Sequence, residues 1–187
     1  LFFTDKGQIY RAKVADFDIS KPSQMGDYVA TKLNMGEDEN VVGCKMVYDI
    51  VPGHHMVYIF ENGKGLRVDM AAYESKTRRK KITGAYSTDS PLAGAVYEGK
   101  EPKLIFIRSD GGRAMLIKSS LIPVKSTRTA AGTQVMQLPK KGVKVELCHL
   151  LIVAYFDGRN FCFARNSCHI IDADIETKTT SFFYNKG

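Results

Sequence analysis

The side chains best equipped for chemistry in this chain of 187 residues are cations gathered in short loops. Ser75-Lys76-Thr77-Arg78-Arg79-Lys80-Lys81 and Lys125-Ser126-Thr127-Arg128-Thr129-Ala130-Ala131-Gly132 mix Lys and Arg with small hydroxyl residues, and Ser20-Lys21-Pro22-Ser23-Gln24-Met25-Gly26 is a weaker version. Ammonium and guanidinium groups neutralise phosphates and release condensed counterions, while Ser and Thr hydroxyls bond phosphate oxygens. The chemistry these loops suit is therefore contact with a polyanion backbone. No aromatic ladder of the kind that stacks single-stranded bases accompanies them, which favours duplex over single strand.

Other reactive residues make weaker patterns. Cys44, Cys148, Cys162 and Cys168 form no C-x-x-C pair, which argues against a disulfide framework and a zinc ribbon. Cys162, Cys168 and His169 come nearest to a ligand set and are read as structural thiols; His54, His55 and His149 have no partner at ligand spacing. No metal is expected. Asp172, Asp174 and Glu176 alternate at strand spacing with no His or nucleophile at a motif distance, so no catalytic residue is assigned.

The charge balance agrees with the loops. Lys and Arg number 27 against 20 Asp and Glu, a net +7. By segment the net charge is −2 over 1–55, +3 over 56–103, +6 over 104–150 and 0 over 151–187. A positive field confined to two segments favours a polyanionic partner. No window reaches the roughly 18 uninterrupted apolar residues of a membrane helix, and no signal peptide pattern opens the chain, so a cytoplasmic protein with no membrane partner is expected. Leu1 opens directly into a strand with no initiator Met, which suggests a piece of a longer protein.

The elements that must position the loops are β-hairpins. Residues 104–107 and 114–117 are apolar and flank Asp110-Gly111, whose composition suits a type I′ turn. Similar hairpins surround Gly7, Gly63 and Gly158, spacing the turn glycines 56, 48 and 47 residues apart. Strands are expected at 56–60, 66–70, 92–97, 133–138, 143–148 and 150–156, and no long stretch keeps helical periodicity. Periods near 40–50 residues with hairpin content point to propeller-like blades, with 150–153 buried on both faces between neighbours. Four units follow, 1–55, 56–103, 104–150 and 151–187, with the cationic loop at the same place in the first three. Equivalent loops then fall on one rim and form a stripe.

The hairpin L-F-F-T-D-K-G-Q-I-Y-R, the later E-N-G-K-G-L-R-V and the run K-S-T-R-T-A-A-G-T-Q-V-M-Q-L resemble repeats in the C-terminal domain of the A subunit of bacterial type IIA topoisomerases, DNA gyrase and topoisomerase IV. The resemblance covers about residues 1–150. It implies an all-β fold: a β-pinwheel, a propeller-like disc of about four-stranded blades, with three blades and a partial fourth here. It further implies a basic rim that binds and bends double-stranded DNA and guides a segment to the strand-passage core. Carried onto this sequence, that rim comprises Lys21, Lys76, Arg78, Arg79, Lys80, Lys81, Lys125 and Arg128, with Arg11, Arg67 and Arg113 as second-rank positions.

The resemblance places the cleavage tyrosine, the ATP and Mg²⁺ sites of the parent enzyme, and its ATPase B subunit outside this stretch, leaving no cofactor here. The gyrase box, a Q-R-R-G-G-K-G type heptapeptide, is absent, and Thr77-Arg78-Arg79-Lys80-Lys81 lacks its paired glycines, which leans toward topoisomerase IV or an intermediate A subunit. A propeller serving as a protein-interaction scaffold is the competing reading, and the +9 over 56–150 counts against it.

Overall fold

Each of the first three hairpins is closed by the same five-residue loop, and glycine explains its shape. Gly7, Gly63 and Gly112 adopt φ of 66°, 79° and 80°, and their N–H groups donate to the carbonyls of Thr4, Phe60 and Ser109 at 3.1, 3.0 and 3.1 Å. The last paired residues are Phe3 with Ile9, Ile59 with Gly65, and Arg108 with Ala114. An i→i+3 turn followed by a left-handed glycine is the bulged hairpin connection, which tolerates most residues ahead of the glycine. The type I′ turn expected at Asp110-Gly111 is therefore corrected. Gly112 is the left-handed residue of that turn, and the third unit's register moves by one.

The extra turn residue has a structural use. It leaves the N–H of Asp5, Glu61 and Asp110 free to donate to the carbonyls of Asn40, Pro91 and Lys144 at 3.0, 2.9 and 3.0 Å. Those three residues immediately precede the outer strand of each sheet.

The computed structural model describes residues 1–47, 50–74, 80–139, 141–150, 152–156, 159–164 and 167–169. Unit one supplies β1 (Phe2–Thr4), β2 (Ile9–Tyr10), the 3-10 turn Val14–Asp16, helix α1 (Val29–Leu33) and β3 (Val41–Cys44). Unit two supplies β4 (His55–Phe60), β5 (Lys64–Asp69), the 3-10 turn Met70–Tyr73, β6 (Lys81–Ile82) and β7 (Leu92–Gly99). Unit three supplies β8 (Leu104–Ser109), β9 (Ala114–Lys118), the 3-10 turn Ser119–Leu121, β10 (Val124–Lys125), β11 (Thr133–Gln134) and β12 (Val145–Leu150). Unit four supplies β13 (Ile152–Phe156), β14 (Arg159–Ala164) and β15 (Ser167–His169). Helix α1, the one α-helix among the described residues, is five residues long and ends at Asn34 in the left-handed conformation.

Strands cross between units. β6 leaves unit two to pair with β2 (Ile9 opposite Ile82), giving the sheet β3-β1-β2-β6. β10 and β11 leave unit three to pair with the edge of β5 opposite β4, the first parallel at Arg67–Val68 and the second antiparallel at Lys64–Gly65, in a five-stranded sheet with β4 and β7. The remaining sheets, β12-β8-β9 and β13-β14-β15, have three strands each. The expected strand 133–138 pairs only at Thr133–Gln134, because its later residues cap the second hairpin: the N–H groups of Val135 and Met136 both donate to Gly63.

Packing follows from strand alternation. Met56, Tyr58 and Phe60 on β4 join Phe3, Ile9, Ile82 and Tyr86 in one core cluster, while Val57 and Ile59 join Ile105, Ile107, Val145 and Cys148 in another. β4 is thus buried on both faces, between the first sheet and the third, as a strand between blades must be. The expectation of that pattern at 150–153 falls on side chains outside the described residues.

Candidate nucleic-acid interface

Tyr73 ends the 3-10 turn that follows the second hairpin, a turn whose start is capped by Asp69 accepting the Ala71 N–H at 2.7 Å. Its hydroxyl accepts from the Tyr58 hydroxyl at 2.9 Å and donates to the Ala85 carbonyl at 2.8 Å. Ala85 in turn donates its N–H to Gly7. Burial pushes the Tyr73 phenol far above its ordinary pKa, so it stays protonated as a donor. One buried ring is thereby fixed against both the first turn and the crossing segment that carries β6.

Cations from the first and third units meet at this residue, one on its carbonyl and one on its ring. Arg11 Nη2 donates to the Tyr73 carbonyl at 2.6 Å, and burial lowers its pKa. The Arg128 guanidinium lies 5.7 Å from the Tyr73 ring centroid, within cation–π range. Lys80 is exposed, and its carbonyl accepts the Arg11 N–H at 2.7 Å. The unit-three loop leans on the unit-two crossing segment: a Cβ on Gly84 would lie 3.6 Å from Thr129, and Ala130 packs against the first core cluster. Lys125 is half-buried beside Val68 of β5. A cleft of about 70 Å³ lined by Arg11, Asp16, Phe17, Lys32 and Lys80 opens on the unit-one side. Lys32, which the sequence reading passed over, is occupied by Asp27 and Asp18 at 3.2 and 3.5 Å.

Other sequence-predicted cations are committed elsewhere. Arg67 makes a bidentate pair with Glu98, Nε to Oε2 at 2.8 Å and Nη2 to Oε1 at 2.7 Å, with side-chain exposures of 12% and 0%. That is a packing role, and it follows from alternation: Arg67 stands opposite Val57, on the face turned to the third sheet. Arg113 is exposed beside the third turn, one residue past Gly112, while Arg11 and Arg67 each lie four residues past their glycine, so the three are not equivalent positions. Lys21 is exposed on the unit-one loop, its N–H held by Gln24 at 2.9 Å. Lys76, Arg78 and Arg79 lie outside the described residues, as do Asp172, Asp174 and Glu176.

Lys81 serves two masters. Its ammonium sits 5.0 Å from the Tyr10 ring centroid and 3.5 Å from Glu39, and its side chain remains 42% exposed. Glu39 is buried and accepts from the Thr4 and Tyr10 hydroxyls at 2.6 and 2.7 Å. Burial alone would raise the Glu39 pKa, but these bonds and the Lys81 charge outweigh it and hold the carboxyl below the ordinary 4.5. A carboxylate depressed in the folded state adds stability above its unfolded pKa, and that contribution disappears as pH falls through the folded value. Stability measured by urea denaturation is expected to drop below about pH 4.5, and Glu39→Gln is expected to flatten that drop.

Glu39, Glu98 and Tyr73 are the residues that sequence reasoning missed. Glu98 was accessible to it, since it sits two residues beyond Val96 on the apolar face of β7, where a charge requires a partner. Glu39 and Tyr73 carry no comparable signal. Among the described residues, no group of three or more His, Cys, Asp or Glu side chains could hold a metal ion, and no helix is long and apolar enough to cross a membrane.

Hairpin sheets that trade strands along the chain, without closing into a barrel, define the all-β pinwheel class. Solved structures with this fold include the crystal structure of the C-terminal domain of DNA topoisomerase IV, with a TM-score of 0.63 and 19% identity over 88% of this chain and 52% of that one. The DNA gyrase A C-terminal domain gives 0.55 and 16% over 85% and 52%, and the E. coli ParC C-terminal domain 0.53 and 13% over 88% and 68%. The chain spans about half the length of the first two. At these identities the likeness is one of fold, and at that level the resemblance drawn from the hairpin motifs holds. No family model and no curated protein matches the sequence.

Proposed function

We propose that this chain binds duplex DNA without sequence preference and bends it along a basic rim, as part of the C-terminal domain of a type IIA topoisomerase A subunit. The observation that carries the reading is that Arg11 of the first unit and Arg128 of the third are both held at Tyr73 of the second, with exposed Lys80 joined to Arg11 through the backbone. Cations held together in this way suit a run of phosphates, and added phosphate contacts along a curve offset a bending cost of about 1–6 kcal/mol for 20–30 bp. The fold of the structural neighbours agrees with this reading. Strand cleavage, ATP hydrolysis with Mg²⁺, and pairing with an ATPase subunit are assigned to other parts of the parent enzyme, which acts on nucleoid DNA in the cytoplasm.

The test is a pair of double mutants. Lys125→Ala with Arg128→Ala, and Arg78→Ala with Arg79→Ala, are each expected to weaken binding about equally for all duplex sequences. The slope of log affinity against log salt should flatten by about 0.9 per lost phosphate contact. Unchanged affinity in both double mutants would overturn the rim assignment.

A further inference from the structure

We infer that Tyr73 is a positioning residue for DNA binding: its ring holds Arg128 at the rim. This rests on the reading that the rim binds DNA. Three features of the residue separate its roles. The carbonyl fixes Arg11, the hydroxyl belongs to the buried chain from Tyr58 to Ala85, and the ring face underlies the Arg128 guanidinium. Removing the ring takes the hydroxyl with it, but Tyr73→Phe deletes the hydroxyl alone and the carbonyl survives any substitution, so the difference between Phe and Leu at this position isolates the ring face.

The arrangement matters because Arg128 belongs to unit three, whereas Tyr73 is anchored to unit one through Ala85 and the Gly7 turn. A long flexible guanidinium left without a platform samples many rotamers, and ordering it on phosphate then opposes binding. A planar cation resting on an aromatic face is already ordered. Tyr73 thereby sets the spacing between Arg128 of the third unit and Arg11 of the first, which is the spacing a run of phosphates must match.

The experiment compares Tyr73→Phe, Tyr73→Leu, Arg128→Ala and the double variant Tyr73→Leu with Arg128→Ala. Duplex binding is measured over a salt series at a temperature where circular dichroism shows every variant folded. Tyr73→Phe removes the hydroxyl and should lower the melting temperature, yet bind DNA with the wild-type slope. Tyr73→Leu should lose what Arg128→Ala loses, a slope change of about 0.9, which is roughly eightfold in affinity at 0.1 M salt. The double variant should be no weaker than either single. A wild-type slope in Tyr73→Leu, or additive losses in the double variant, would overturn the inference while leaving the rim reading intact. Failure of the wild-type chain to bind duplex DNA would overturn both.

Discussion

Glu98→Ala is expected to be the most damaging single substitution in the second sheet, lowering unfolding free energy by about 3–5 kcal/mol, because it leaves the Arg67 guanidinium buried and uncompensated. The pair is fully formed, two parallel N–H···O bonds with the carboxylate wholly inside. His55 Nδ1, 3.4 Å from Arg67 Nη2, is a poor substitute partner. Replacing both members, Arg67→Met with Glu98→Leu, should recover most of the loss, since a buried ion pair adds little beyond an apolar pair of similar volume. Urea midpoints of the two variants check this. If Glu98→Ala costs less than about 1 kcal/mol, the pair is solvated and Arg67 returns to the list of rim candidates. The same comparison separates packing from binding: Arg67→Ala should destabilise the protein and leave the salt slope for DNA unchanged below its melting temperature.

The second large effect is expected at a turn. Gly63→Ala should cost about 3 kcal/mol, and Gly112→Ala only about 1 kcal/mol, although both glycines are left-handed at nearly the same φ. The backbone term is common to both. The difference comes from what an added methyl meets: at Gly63 it would lie 2.2 Å from the Met136 carbonyl oxygen, and at Gly112 it would have nothing within 4 Å. The crowding at Gly63 exists because residues 135–136, arriving from unit three, cap the second hairpin. Equal losses at the two sites would mean that this crossing segment is not seated on the turn.

The hairpins were legible because each is written locally, as apolar runs on either side of a glycine turn. Register within the third turn was not. Gly111-Gly112 offers two glycines, and the choice between them is made by the distant Lys144 carbonyl that accepts from Asp110. The crossings were hidden for a related reason: β6, β10 and β11 are two residues each, too short for any periodicity, and tertiary contact alone selects β2 and β5 as their partners. Among the cations, charge and loop position pointed alike to Lys21, Lys76, Arg78, Arg79, Lys80, Lys81, Lys125 and Arg128, whereas the carboxylates that occupy Arg67 and Lys81 come from strands and loops far away in sequence. Composition reveals where charge is plentiful, and only the fold shows which charges are already paired.

The most direct test of the rim is the affinity of the wild-type chain for duplex DNA across a salt series, with linear DNA and minicircles compared side by side. Binding that is steep in salt, indifferent to sequence and stronger for the bent substrate is the predicted result. No binding at low salt, or binding that ignores salt and curvature, would contradict it.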